Sequence, residues 1–202
     1  VDAVLIATES GNHFQHAREA LEAGKHVIVE KPPALMPDEI LNNEHYAQQK
    51  GLMFAVIFQN RLNPAMQILK NTYEEGRFGK IVLSTIRLRW CRYQKYYEDG
   101  WHGTWAMDGG VLSQQAIHHL DALQWVCGEV DQVSTMQSNA LNRLEAEDTT
   151  VATVRFRNGA LGVIECTTAA RPEDFEASIS VVGENGFVVV GGIALNKIDT
   201  WK

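Results

Sequence analysis

Three groups of residues in this sequence can carry chemistry. Lys31 stands in Glu30-Lys31-Pro32, directly after the apolar run Val27-Ile28-Val29. A lysine at the carboxyl end of a parallel strand can donate to a ligand hydroxyl, and loss of water there shifts its pKa. The plain alternative is a solvated turn lysine paired with Glu30. The two prolines after it stiffen the turn and leave open whether either peptide is cis.

His118 belongs to the second group. Gln114, His118, Asp121 and Trp125 follow at i, i+4, i+7 and i+11 along residues 109–128, a stretch with one formal charge. A single helix would place these four in one stripe, with Val111, Leu112, Ala116, Leu120 and Leu123 as its core face and Asp108 able to cap its start. Buried polar groups need partners, and a ligand cleft is one way to supply them. The unperturbed pKa of histidine lies near neutrality, which suits His118 to proton transfer. The alternative is a core histidine bonded to Asp121. His119 points about 100° away on a helix, toward the apolar side, and reads as structural. Adjacent helical residues do not readily converge on one ion, so no metal site is expected at His118, His119 and Asp121.

The third group is the aromatic and glycine-rich run at residues 96–105, which includes Trp101 and His102. It suits a sugar platform, with Arg89 or Arg92 reaching polar groups, or a plug at an interface, where Trp and Tyr are also enriched. His13 and His16 sit near the start of a predicted helix. His13 is placed either against a dinucleotide or on the helix surface.

The elements that position these groups are legible in the apolar pattern. Residues 3–7 and 27–29 read as strands buried on both faces, and 52–58 as a third. Between them, Phe14, Ala17 and Leu21 mark a helix closed by Gly24, with Ser10 or Asn12 as its cap. A second helix runs from Pro37 to near Gly51. This βαβαβ order is half of a doubly wound dinucleotide fold, and no GxGxxG occurs in the chain. Another helix follows Asn63-Pro64. Beyond it, alternation at residues 82–90, Asn158-Gly159 between two apolar runs, and a second hairpin around residues 184–186 predict a mostly antiparallel sheet with one long inserted helix. The expected class is α/β: the C-terminal half of a Rossmann domain over residues 1–61, then an α+β domain with an open sheet over 62–202.

Composition narrows the function. The chain has 202 residues, 45% apolar and 21% charged, with a formal net charge of −7. Without a basic cluster or a long apolar run, neither nucleic acid nor membrane is an expected partner. Cys91, Cys127 and Cys166 have no paired spacing, which argues against a disulfide framework or zinc and fits a reducing, cytoplasmic setting. Because the chain begins at Val1 inside a strand, it is expected to be a piece of a longer protein, inactive by itself.

A set of short motifs then points to a family. Asp2-Ala3-Val4-Leu5-Ile6-Ala7-Thr8, His13, residues 20–27, Glu30-Lys31-Pro32, Asn60-Arg61-Leu62-Asn63-Pro64, residues 75–80, and Gly109-Gly110-Val111-Leu112 leading to His118 and Asp121 resemble the glucose–fructose oxidoreductase/inositol dehydrogenase (Gfo/Idh/MocA) family. The resemblance implies an NAD- or NADP-dependent dehydrogenase that moves a hydride from a sugar, cyclitol or nucleotide-sugar hydroxyl to nicotinamide. It implies a homo-oligomer assembled through the C-terminal sheet.

The family's lysine falls on Lys31 and its histidine on His118. Its frequent aspartate, four residues before that histidine, is Gln114 here. Residues 101–105 with Asp108-Gly109-Gly110 and Gln114-Gln115-Ala116-Ile117-His118 look most like members that oxidise nucleotide-linked amino sugars. The expected catalytic pair is Lys31 and His118. Thr8, His13, Glu30, Lys31 and Pro32 are expected at the cofactor, and Gln114, Asp121, Arg89 and Trp101 at the substrate. The rival readings are an NAD-dependent glycosidase on the same fold and a non-catalytic dinucleotide or sugar sensor.

Overall fold

The computed structural model covers residues 1–202. Three parallel strands, β1 (Ala3–Ile6), β2 (His26–Val29) and β3 (Phe54–Val56), form one sheet in that order. They are joined by α1 (His13–Glu22) and α2 (Pro37–Lys50). The second helix begins on Pro37, has Asp38 and Glu39 in its first turn, and stops at Gly51 in the left-handed region, φ 66°.

The two helices pack on each other and cover one face, as successive crossovers in one direction do. Ile6, Val27 and Val29 are buried there against Ala17, Leu21 and Ala47. The opposite face leaves Leu5 and Ile28 exposed. The expected burial on both faces therefore holds for one, because both helices lie on the same side.

From α3 (Pro64–Glu74) the chain enters a seven-stranded sheet. Its strands are β4 (Ile81–Arg89), β5 (Val130–Ser138), β6 (Thr149–Phe156), β7 (Leu161–Thr167), β8 (Glu176–Gly183), β9 (Gly186–Gly191) and β10 (Lys197–Trp201). The order is β10-β9-β8-β4-β7-β6-β5, and β4 with β7 is the one parallel pair. Gly159, at φ 87°, turns β6 into β7 at the predicted Asn-Gly. One face carries the main core, where Ile86 and Leu88 of β4 lie under the later helix layer at residues 117–127 and share one cluster with Met66 and Leu69 of α3. The other face is open. No helix is long and apolar enough to cross a membrane.

The single long helix expected over 109–128 is two: α4 (Val111–Gln114) and α5 (Ile117–Cys127). The Ala116 N–H bonds to the Val111 carbonyl, five residues back, at 2.8 Å, and the helix restarts from Ala116. Asp108 does not cap it. Gly110 is the N-cap and makes no side-chain cap bond. The orphan N–H groups are met by a distant segment instead: Val111 donates to the Glu147 carbonyl at 2.9 Å, and Leu112 to Glu147 Oε1 at 3.3 Å. Gly110 must lack a side chain here, since a Cβ would stand 1.9 Å from Glu147 Oε2.

Candidate active site

Two hollows meet at Lys31. One, of about 310 Å³, lies over the carboxyl ends of β1 and β2 and is lined by Thr8, His13, Glu30, Trp101 and His102. The other, of about 330 Å³, lies under the helix layer and is lined by Asn60, Trp90, Arg92, Gln115, His118 and His119. Lys31, Tyr96 and Gln114 line both.

The first hollow is held by side chains from the strand-end turns. His13 is buried; its Nδ1 lies 2.7 Å from the Pro32 carbonyl oxygen and its Nε2 3.0 Å from that of Thr8. The ring therefore ties the turn after β1 to the turn after β2, a placement unlike the helix-surface alternative. The Thr8 hydroxyl lies 3.0 Å from His16 Nδ1. Pro32 is buried behind a cis Lys31–Pro32 peptide and meets His13 through its carbonyl. Trp101, expected at the substrate, lines this hollow and not the second one, stacked on His102 at 3.7 Å between ring centroids because the turn at residues 99–103 folds over the strand ends. The position beyond the strand ends fits the nicotinamide end of a dinucleotide, with Thr8, Glu30 and Lys31 as the residues that would hold it.

Lys31 donates from Nζ to the Gln114 backbone oxygen at 2.9 Å and to Gln114 Oε1. Burial holds its pKa below the usual lysine range, while Glu30 and Asp108 pull it back up. Burial, followed by the nearby Lys31 charge, lowers His118 to about 4. His118 is thus neutral at ordinary pH and able to accept a proton. Its Nδ1 has no partner, and neither do Trp90 Nε1 or both nitrogens of His119. All four atoms belong to residues that line this hollow, and buried polar groups call for partners.

Three expectations shift. Asp121 lines neither hollow and does not bond His118; it is paired with Arg61. Arg89 lies on the open face of the large sheet, bonded to Glu165 at 2.6 Å and to Glu176 at 2.8 Å. Strand alternation explains this, since Leu88 points into the core and its neighbour must point away. Arg92, beyond the strand end, lines the hollow in its place. His119 is fully buried as expected, but against Trp90 and along the hollow wall. Asn60, Trp90 and Gln115 also line that wall; Asn60 and Gln115 fall within the family-like motifs with no role assigned to them there, and no local pattern marks Trp90.

Both parts of the chain match known family models. Residues 1–58 match the family model described as an oxidoreductase family with an NAD-binding Rossmann fold. Residues 66–189 match the Gfo/Idh/MocA C-terminal domain model. The chain belongs to the Gfo/Idh/MocA oxidoreductase family.

Among solved structures it is similar to the WlbA dehydrogenase from Bordetella pertussis in complex with NADH and UDP-GlcNAcA. The TM-score is 0.97 and the identity 41%, covering 100% of this chain and 59% of that one. Among characterised relatives, levoglucosan dehydrogenase from Pseudarthrobacter phenanthrenivorans is 27% identical over 94% of this chain and 55% of its own length. Myo-inositol 2-dehydrogenase from Thermotoga maritima is 26% identical over 96% of this chain and 57% of its own. The chain thus spans little more than half the length of these relatives.

Proposed function

We propose that this chain is the site-bearing part of an NAD-dependent dehydrogenase that oxidises a hydroxyl of a nucleotide-linked sugar acid. The observation that carries this reading is the shared wall of Lys31 and Gln114 between a dinucleotide-side hollow and a second hollow with an unpaired, neutral His118. The likeness to the WlbA dehydrogenase in complex with NADH and UDP-GlcNAcA supports the choice of a nucleotide-linked substrate.

Bound NAD supplies the hydride acceptor. The chain's own part is proton handling and charge stabilisation. His118 takes the hydroxyl proton at Nε2, since its Nδ1 is enclosed, and Lys31 Nζ donates a hydrogen bond to the oxygen as negative charge develops there, a role worth several kcal/mol in a dry site. Arg92 lines the second hollow already paired with Asp174, so its part toward an acidic sugar is to offer the N–H groups that this pair leaves over. The exposed Leu83, Val151 and Leu161 on the open sheet face make the same protein a homo-oligomer in this reading.

The test is NADH formation by the full-length protein with UDP-GlcNAcA, levoglucosan and myo-inositol as substrates. Rapid NADH formation is expected with UDP-GlcNAcA and only traces with the other two. Preference for either free compound would overturn the substrate class. Sugar release from a glycoside without net NADH would favour the glycosidase, and NAD binding without any turnover the sensor.

A further inference from the structure

Asp108 is 2% exposed and forms no salt bridge. Its Oδ2 accepts the Gly103 N–H at 2.7 Å, and its Oδ1 accepts from Gln114 Nε2. A carboxylate this deeply buried needs compensating charge. The bonded path to a cation runs through Gln114, itself 7% exposed. That side chain gives its Nε2 to Asp108 and, at 3.3 Å, to Ser10 Oγ, while its Oε1 receives Lys31 Nζ.

We propose that Asp108 is a positioning residue for Lys31, acting as its counter-charge through the Gln114 amide. This rests on the role given to Lys31 above. A carboxylate only accepts and an ammonium only donates, so an amide between them has one orientation that satisfies both. Asp108 therefore fixes which end of Gln114 faces Lys31. It also fixes the direction in which Nζ points at the boundary of the two hollows. Glu30 pulls Lys31 toward the charged form more strongly than Asp108 does, and His118 also faces it; of these groups Asp108 is the one that also sets the orientation of Gln114.

Asp108→Asn makes the inference testable. The introduced amide oxygen can keep the Gly103 N–H, which turns the introduced NH2 toward Gln114. Gln114 must then rotate to accept, and its own NH2 comes to face Lys31. The ammonium loses its side-chain acceptor and the Asp108 counter-charge, and keeps the Gln114 backbone oxygen and the neighbouring Glu30. In Asp108→Asn/Gln114→Glu, a carboxylate instead sits directly on Nζ, and the introduced NH2 donates to it.

The experiment is competitive acetic anhydride labelling of Lys31 across pH in the full-length protein, read by mass spectrometry. It needs no substrate, so it is independent of the proposed activity. The Lys31 titration midpoint should fall by about one pH unit in Asp108→Asn and return to or above the wild-type value in the double variant. An unchanged midpoint in a folded Asp108→Asn protein overturns the proposal. So does a fall that the double variant does not reverse, which would mark Asp108 as an anchor of the Gly103 turn only. If Asp108→Asn does not fold, a double variant with a midpoint no higher than wild type overturns it equally. In an active enzyme, the limb of the kcat pH profile due to Lys31 should move with the labelling midpoint.

Discussion

Arg61 and Asp121 lie 60 residues apart in sequence and meet as a guanidinium fork on a carboxylate, with Arg61 Nε donating to Asp121 Oδ2 at 2.7 Å. The Asp121 side chain is 11% exposed and that of Arg61 42%. Asp121 also holds the Arg61 pKa up, chiefly through this bond. The pair fastens the loop after β3 to the middle of α5 and turns Asp121 away from His118.

Removing Arg61 leaves the more buried partner charged and alone, whereas removing the charge of Asp121 leaves a cation that reaches water. Arg61→Ala should therefore destabilise by about 2 kcal/mol, below the range for fully buried pairs, and Asp121→Asn by less. Urea unfolding of both variants checks the order. Equal losses would show that burial of the carboxylate does not control the pair.

Lys31→Met and His118→Asn should each lower kcat by about 100-fold or more while KM changes little. Both are nearly isosteric, and both groups are assigned to the charge that develops during reaction. Steady-state kinetics on the full-length enzyme decide it. Near-normal turnover in either variant removes that residue from the chemistry.

Acid should weaken the fold between pH 6.5 and about 4. Burial lowers both His118 and His119 from 6.5 to about 4. In that window the unfolded chain takes up protons that the folded chain refuses, so stability is full above 6.5 and is lost as pH falls. The fully buried His119 contributes on the order of 2–3 kcal/mol to the loss. His119→Leu should flatten the dependence of the urea midpoint on pH between 7 and 5. A variant with the wild-type slope would show that His119 is not its source.

Thiol chemistry should be confined to one site. Burial raises Cys127 to about 11 and Cys166 to about 12, and both are enclosed; Cys91 is partly open. Iodoacetamide at neutral pH should add one label to the folded protein, on Cys91, and three after unfolding. Early labelling of Cys127 or Cys166 in peptide maps would contradict the packing around them.

Much of this arrangement is local and so was legible in the sequence. The Val27-Ile28-Val29 run and the Glu30-Lys31-Pro32 turn place Lys31 at a strand end, whereas Gln114 and His118 come to the same hollow across a break in the helix that their spacing does not foretell. Alternation also held the clue to Arg89, because a residue between Leu88 and Trp90 must face away from them. What could not be read depends on residues remote in sequence. Asp121 is claimed by Arg61, the start of α4 is capped by Glu147, and Asp108 faces Gln114 instead of the helix end. Each outcome is decided by which distant backbone arrives to offer a better partner, and periodicity carries no record of that.

The common wall of the two hollows makes their occupancies interdependent. A ligand in one that draws the Lys31 ammonium toward itself, or changes its charge, alters the surface met by a ligand in the other. Whatever factor the first ligand applies to the affinity of the second must be returned in equal measure by the second to the first. Binding titrations of either partner, with and without the other, should close a thermodynamic cycle whose coupling free energy passes through one amine.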